Sequence, residues 1–221
     1  MVSFMYTLLT LETSSRFCSV ALYRKGECLG ENSEITSYQK NAAALLAPQV
    51  DELLRAHHLS PGALTHIGIN RGPGSFTGLR IGLAFAQGLA FPKGLPVMTS
   101  TSFAIVHAKY THKARYPLLI LLDTKCRSYY SAWYEKEGED PQTDVLGKED
   151  ISRYIEKAAC IIMDKDDEEI RKENEEKSVL MAPLTARDVG QYFLALPQFP
   201  KVSPLEPYYL KEPNITGTPC I

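Results

Sequence analysis

Residues 71–82 read Arg71-Gly72-Pro73-Gly74-Ser75-Phe76-Thr77-Gly78-Leu79-Arg80-Ile81-Gly82. A strand-like run, Thr65 to Asn70, precedes them, and a helical run, Leu79 to Phe91, follows. The run is thus a glycine-rich turn from a strand into a helix. Such a turn also leaves backbone N–H groups unpaired at the helix start, where an anion can bind. The spacing fits neither common phosphate cradle. A dinucleotide fingerprint needs G-x-G-x-x-G, and here the third glycine falls one position late, at Gly78. A P-loop needs a lysine directly after its last glycine, and none follows. Two readings stay open. In one, the turn is a tight connection in which Pro73 fixes φ and Gly72, Gly74 and Gly78 supply unusual backbone angles. In the other, the loop from Arg71 to Gly78, with Arg80, contacts an anion.

The flanking segments extend the pattern. Thr7 to Leu11 reads as a strand ending in Glu12-Thr13-Ser14-Ser15, and Cys18 to Tyr23 as a second. Gly26 marks a hairpin turn, and Cys28 to Ser33 is the returning strand. Ala42, Leu45, Leu46, Gln49, Val50, Leu53 and Leu54 form one helical stripe, with Pro48 inside it as a kink or first-turn residue. Pro96 to Thr99 is a strand, and 100–102 cap a helix over 103–110. Leu118 to Asp123 is apolar until its last residue, as in a strand covered on both faces. A second strand, 129–134, a polar turn, 135–143, a short helix, 151–157, and a short strand, 160–163, follow. Residues 164–177 are almost wholly charged and read as a solvated face. Residues 186–196 are helical, and 204–210 are apolar enough to dock. Two halves that each start strand, acid, turn, strand suggest duplication. The boundaries implied are a first lobe over 1–102, a smaller second lobe over 103–200, and a segment over 201–221 that docks back.

An acid and hydroxyls at the end of a first strand, followed by a hairpin, resemble the phosphate loop of the actin-like ATPases. In that superfamily the acid holds the nucleotide's metal. Glu12, Thr13 and Ser14 are the residues in question, and Asp123 echoes Glu12 in the second half. The glycine-rich adenosine motif expected in the second half is missing, since Gly138, Gly147 and Gly190 stand alone. The phosphate loop therefore reads as vestigial. An ATP-dependent phosphotransferase using Glu12 and Asp123 on Mg²⁺ is the alternative.

Other chemistry is sparse. His107 and His112 are five apart and do not share a helix face, so no metal pair is expected. Ser75 has glycine directly before it rather than the G-x-S-x-G elbow of a nucleophile. Five scattered cysteines without a C-x-x-C pair predict free thiols in a reducing cytoplasm. No apolar run approaches the ~20 residues that span a bilayer, and no basic n-region marks a secretory signal. The net charge is −2 and the Lys and Arg residues are spread out, so nucleic acid contact is expected only together with a partner. Gly78, Gly82, Ala86 and Ala90 recur at steps of four, leaving a groove for its own sheet or for another subunit.

The runs Leu11-Glu12-Thr13-Ser14, Cys18 to Leu22, Leu46 to Leu54, Arg71 to Gly82 and Gln87 to Ala90 together resemble the bacterial TsaB (YeaZ) family. The match is close over roughly the first hundred residues and loose beyond. The family commonly has Asp where this chain has Glu12. The resemblance implies an α/β, actin-like (ASKHA, ribonuclease H-like) fold of two lobes. It implies a non-catalytic subunit, without cofactor or metal of its own, of the machinery that makes threonylcarbamoyladenosine (t6A) on tRNA. It also implies a catalytic TsaD-like partner, a TsaE-like ATPase in the same complex, tRNA contact only through the complex, and a homodimer in isolation. The expected partner surface comprises Leu45, Leu46, Gln49, Val50 and Leu53 with Gly78, Gly82, Ala86 and Ala90.

Overall fold

The computed structural model describes residues 6–37, 41–124, 126–164, 168–200 and 205–210. In chain order its elements are β1 (Thr7–Glu12), β2 (Phe17–Arg24), β3 (Glu27–Ile35), α1 (Ala42–Ala56), β4 (His66–Asn70), α2 (Phe76–Ala90), β5 (Val97–Ser100), α3 (Ser102–Tyr110), β6 (Leu118–Asp123), β7 (Ser128–Tyr134), β8 (Gln142–Gly147), α4 (Lys148–Lys157), β9 (Cys160–Asp164), α5 (Glu168–Glu173), β10 (Ser178–Met181) and α6 (Ala186–Ala195). They form two five-stranded sheets of the same design, β3-β2-β1-β4-β5 and β8-β7-β6-β9-β10. In each, the first three strands are antiparallel and the last two add in parallel. The duplication expected from the repeated strand-acid-turn pattern is thus present strand for strand.

Local chemistry explains the first sheet. Lys25 and Gly26 both have positive φ, 54° and 89°, so β2 and β3 join by a two-residue turn of the primed type that matches strand twist. Every residue of β1 is buried. On one side, Leu9, Leu11, Val20, Ile67 and Ile69 pack with Leu45, Leu46, Val50 and Leu53 of α1 and Leu83 and Ala86 of α2. Each buried Leu here contributes roughly 1.5–3 kcal/mol. Asn41 caps α1 by accepting from Ala44 N at 3.1 Å, and Pro48 sits mid-helix on its exposed side.

The other side of β1 belongs to α6. Thr10 Oγ1 donates to the Ala186 carbonyl at 2.7 Å, and Ala186 N donates to Ser19 Oγ at 2.8 Å. Tyr23 Oη donates to the Arg187 carbonyl at 2.9 Å, with Gly190 directly beneath its ring. Phe193 is fully buried beside Gly68. These contacts place the helix with the first compact unit, which comprises Met1–Ile105 and Leu184–Tyr208; the second comprises Val106–Pro183 and Tyr209–Ile221. That corrects the sequence boundary, which put 103–200 in one lobe. A helical period shows which face is apolar, not which sheet covers it. Of the segment 201–221, residues 205–210 are described; Leu205 packs on the first core and Tyr208 N donates to the Arg71 carbonyl at 2.7 Å.

Two strands escape the sequence pattern. β8 carries Gln142, Thr143 and Asp144, and β10 is four residues long. Both are edge strands, where one flank faces water and alternation weakens. Most of the charged run 164–177 is described, and it contains the short α5.

Candidate functional site

The parallel strands β1 and β4 end side by side, with Leu11 opposite Ile69. This brings Glu12 next to Asn70 at the carboxyl end of the first sheet, where open α/β sheets commonly bind ligands. Glu12 is fully buried. Its Oε1 accepts from Ser14 N at 2.5 Å and its Oε2 from Asn70 Nδ2 at 2.8 Å. The Ser14 hydroxyl also bonds the carboxylate. Burial nevertheless raises the Glu12 pKa from 4.5 to about 7; the bonds from Ser14 and Asn70 oppose the rise, and the charge of Asp188 adds to it.

Asn70 is the hub. Its Nδ2 also reaches Ser102 Oγ at 2.9 Å and Ser14 Oγ at 3.1 Å, and its Oδ1 accepts from Gly72 N at 2.9 Å. Ser102 completes the ring by donating to the Pro73 carbonyl at 2.7 Å and by its own N–H to the Gly72 carbonyl at 2.7 Å. Gly72 has φ 107°, a conformation L side chains rarely adopt. The glycine-rich loop is thereby tied to both strand ends.

This arrangement favours the packing reading of the loop over the anion reading. A Cβ at Gly74 would strike the Ser14 carbonyl, and one at Gly78 would strike the Thr13 carbonyl. The 13–14 turn therefore lies in the loop's concavity and presents carbonyl oxygens, which repel anions. Some of the donors around the helix start are engaged: Ser75 N donates to the Ser14 carbonyl at 2.6 Å, and Gly78 N to Ser75 Oγ at 3.2 Å. Arg71 lies 5.3 Å from the Tyr208 ring centroid and Arg80 lies 4.0 Å from that of Phe76. Ser75, Thr77 and Arg80 are exposed, while Gly72, Pro73 and Gly78 are buried. The glycines answer to packing. The same geometry weighs against the phosphotransferase reading, since both Glu12 oxygens are committed to Ser14 and Asn70.

The expected partner surface also changes. Leu45, Leu46, Gln49, Val50 and Leu53 are buried within the first core, as are Gly78, Gly82, Ala86 and Ala90. Gly82 faces Thr13 Oγ1 and Ile69. The stripe and the groove face the chain's own sheet, because a five-stranded sheet must be covered on that side. Among the described residues, no three His, Cys, Asp or Glu side chains converge to hold a metal. Cys18, Cys28 and Cys160 are free thiols, and burial pushes Cys18 up to about 12; Cys126 is disulfide-bonded, which corrects the expectation of free thiols throughout. Among the described residues, no helix is long and apolar enough to cross a membrane. Sequence reasoning missed Asn70 as the hub and read Ser102 only as a cap. A polar residue closing the otherwise apolar β4 was the available signal.

Two mixed sheets in the order 3-2-1-4-5, each flanked by helices, define the duplicated actin-like, ASKHA architecture. A protein described as having an actin-like ATPase fold, from Bacteroides thetaiotaomicron, matches that fold with a TM-score of 0.52 at 12% identity over 89% of this chain and 99% of its own. YeaZ from Pseudomonas aeruginosa superposes with a TM-score of 0.67 at 25% identity over 93% of this chain and all of its own. The family model "TsaD: tRNA N6-adenosine threonylcarbamoyltransferase" matches residues 34–165, more than half of the chain. The chain belongs to this family, within its TsaB/YeaZ group. It is 34% identical over 132 residues to the tRNA threonylcarbamoyladenosine biosynthesis protein TsaB of Haemophilus influenzae, and 29% identical over 131 residues to that of Escherichia coli. Both alignments take in 59% of this chain and 55% of the relative, so the chain spans about half the length of these curated relatives.

Proposed function

We propose that this chain is a non-catalytic component of t6A biosynthesis in the cytoplasm, supporting a TsaD-type catalytic partner. The closed Glu12–Asn70–Ser102 ring carries the reading. In a nucleotide-using relative this strand end would be open to phosphate and metal. Here it is filled by the chain's own backbone and hydrogen bonds. A domain with its ligand crevice built shut acts through its surface. The names of the TsaB relatives supply the pathway.

The partner contact is assigned to the outward faces of α1 and α2. Ala43, Ala44 and Ala47 are exposed on α1, and Ala84 and Gly88 on α2. A Cβ at Gly88 would meet nothing within 4 Å. Phe91, just beyond α2, is 84% exposed. Small side chains let another helix approach closely, and an aromatic at the margin supplies an anchor. A second copy of this chain uses the same face when no partner is present, and the TsaE-type ATPase joins through the complex. Ala84→Arg tests the assignment by capture of a TsaD-type chain. Its affinity should fall about tenfold or more, equivalent to ~1.4 kcal/mol, with an unchanged melting temperature. Undiminished capture would move the contact elsewhere.

A further inference from the structure

Besides the Asn70–Ser102 ring, the glycine-rich loop has a second support, from residues far along the chain. Residues 205–210 carry no helix or strand. Yet Arg71, the first residue of the loop, is bonded to them. Its N–H donates to the Ser100 carbonyl at 2.9 Å, and its carbonyl accepts from Tyr208 N at 2.7 Å. The Arg71 guanidinium lies 5.3 Å from the centroid of the Tyr208 ring, a cation–π contact. Leu205 packs on the first core. A segment without secondary structure of its own is thus fastened at two points.

The contact reaches α2 through Gly72. A Cβ at Gly72 would lie 2.7 Å from Leu79 Cδ1 and 3.1 Å from the Tyr208 carbonyl oxygen. Gly72 is therefore a thin wall between the 205–208 segment and Leu79, a fully buried residue in the first turn of α2. Close-packed groups have no void to absorb a displacement, so a shift at Tyr208 is passed to the helix start. The grip itself is shallow. Leu205, Pro207 and Tyr208 are half-buried and Glu206 is exposed, whereas Phe193 of α6 is fully buried. Segments with few buried contacts open locally at far less cost than global unfolding.

Resting on the reading above that a TsaD-type partner binds the outward face of α2, we propose that residues 205–208 are a strap whose closed state positions that helix for the partner. Closed, the strap presses Gly72 onto Leu79 and fixes the first turn of α2. Open, it leaves the loop and that turn free to shift, and the partner face with them. Tyr208 is then a positioning residue, acting through Gly72 and Leu79 on a face that carries Ala84, Gly88 and Phe91. A partner that binds the closed state better must, by linkage, hold the strap closed by the same factor.

The test is amide exchange at Tyr208 N in the full chain, with and without a saturating TsaD-type partner, together with the partner affinity of three variants. The partner should slow the exchange about tenfold. Tyr208→Ala, which removes the ring beside Arg71, should weaken partner affinity by a similar factor while the melting temperature stays near wild type. Tyr208→Phe keeps the ring and should bind as wild type does. Glu206→Lys, on the exposed side of the strap, should also bind as wild type does. Equal exchange rates with and without bound partner overturn the proposal, even where Tyr208→Ala fails to fold, and leave the partner reading standing. Wild-type affinity in a folded Tyr208→Ala chain overturns it too. A loss in Glu206→Lys as large as that in Tyr208→Ala overturns it by seating the partner on the strap itself. A wild-type chain that captures no TsaD-type partner removes the reading on which the proposal rests.

Discussion

At the residue scale, Glu12 and the glycines around it close the end of the first sheet. Glu12 was legible as a strand-end acid, but its partners were not. Asn70 and Ser102 are 58 and 32 residues from the groups they bond, and no local pattern encodes such pairings. The raised Glu12 pKa has a direct consequence. Between 4.5 and about 7 the folded chain binds a proton there that the unfolded chain does not. Stability from this group therefore falls as pH rises through that window and stays low above it, by roughly 3 kcal/mol in full. Urea midpoints at about pH 5 and about pH 8 should show wild type losing more stability than Glu12→Gln over that interval. Equal losses in the two proteins would place the titration elsewhere. Gly78→Ala sets a Cβ against the Thr13 carbonyl, a backbone atom with little room to yield. It should cost about 2 kcal/mol and lower the melting temperature by ~4–8 °C. An unchanged melting temperature would mean the 13–14 turn can move away.

At the element scale, the sequence pattern located most strands and helices to within a few residues, because hairpin glycine, proline stops and hydroxyl caps are local signals. It started the second helix at Leu79; the structure starts it at Phe76, since Ser75 caps it by accepting from Gly78 N. The edge strands β8 and β10 were illegible because one-sided pairing leaves little pattern. The return of α6 to the first sheet was illegible because Thr10, Ser19, Tyr23 and Gly68, which receive it, lie more than a hundred positions away. Phe193 is the anchor of that return, fully buried beside Gly68. Phe193→Ala should destabilise the first unit by about 3–5 kcal/mol, read from the urea transition of the full chain. A loss below about 1 kcal/mol would show that α6 contributes little to holding that sheet.

At the scale of the whole molecule, duplication was legible because each half opens with a strand, an acid and a turn. The family was legible from the 71–82 run. The closure of the crevice was not, because glycine spacing is the same whether a loop encloses a ligand or another piece of backbone. In the proposed function, that closure is what separates a supporting chain from a catalytic one. It is tested most directly by reconstituting t6A formation on a tRNA transcript with the threonylcarbamoyl donor, a TsaD-type partner and a TsaE-type ATPase, with and without this chain. The account predicts modification with all components, its loss when this chain is omitted, and none from this chain alone. Threonylcarbamoyl transfer by the chain alone, or full modification in its absence, would contradict it.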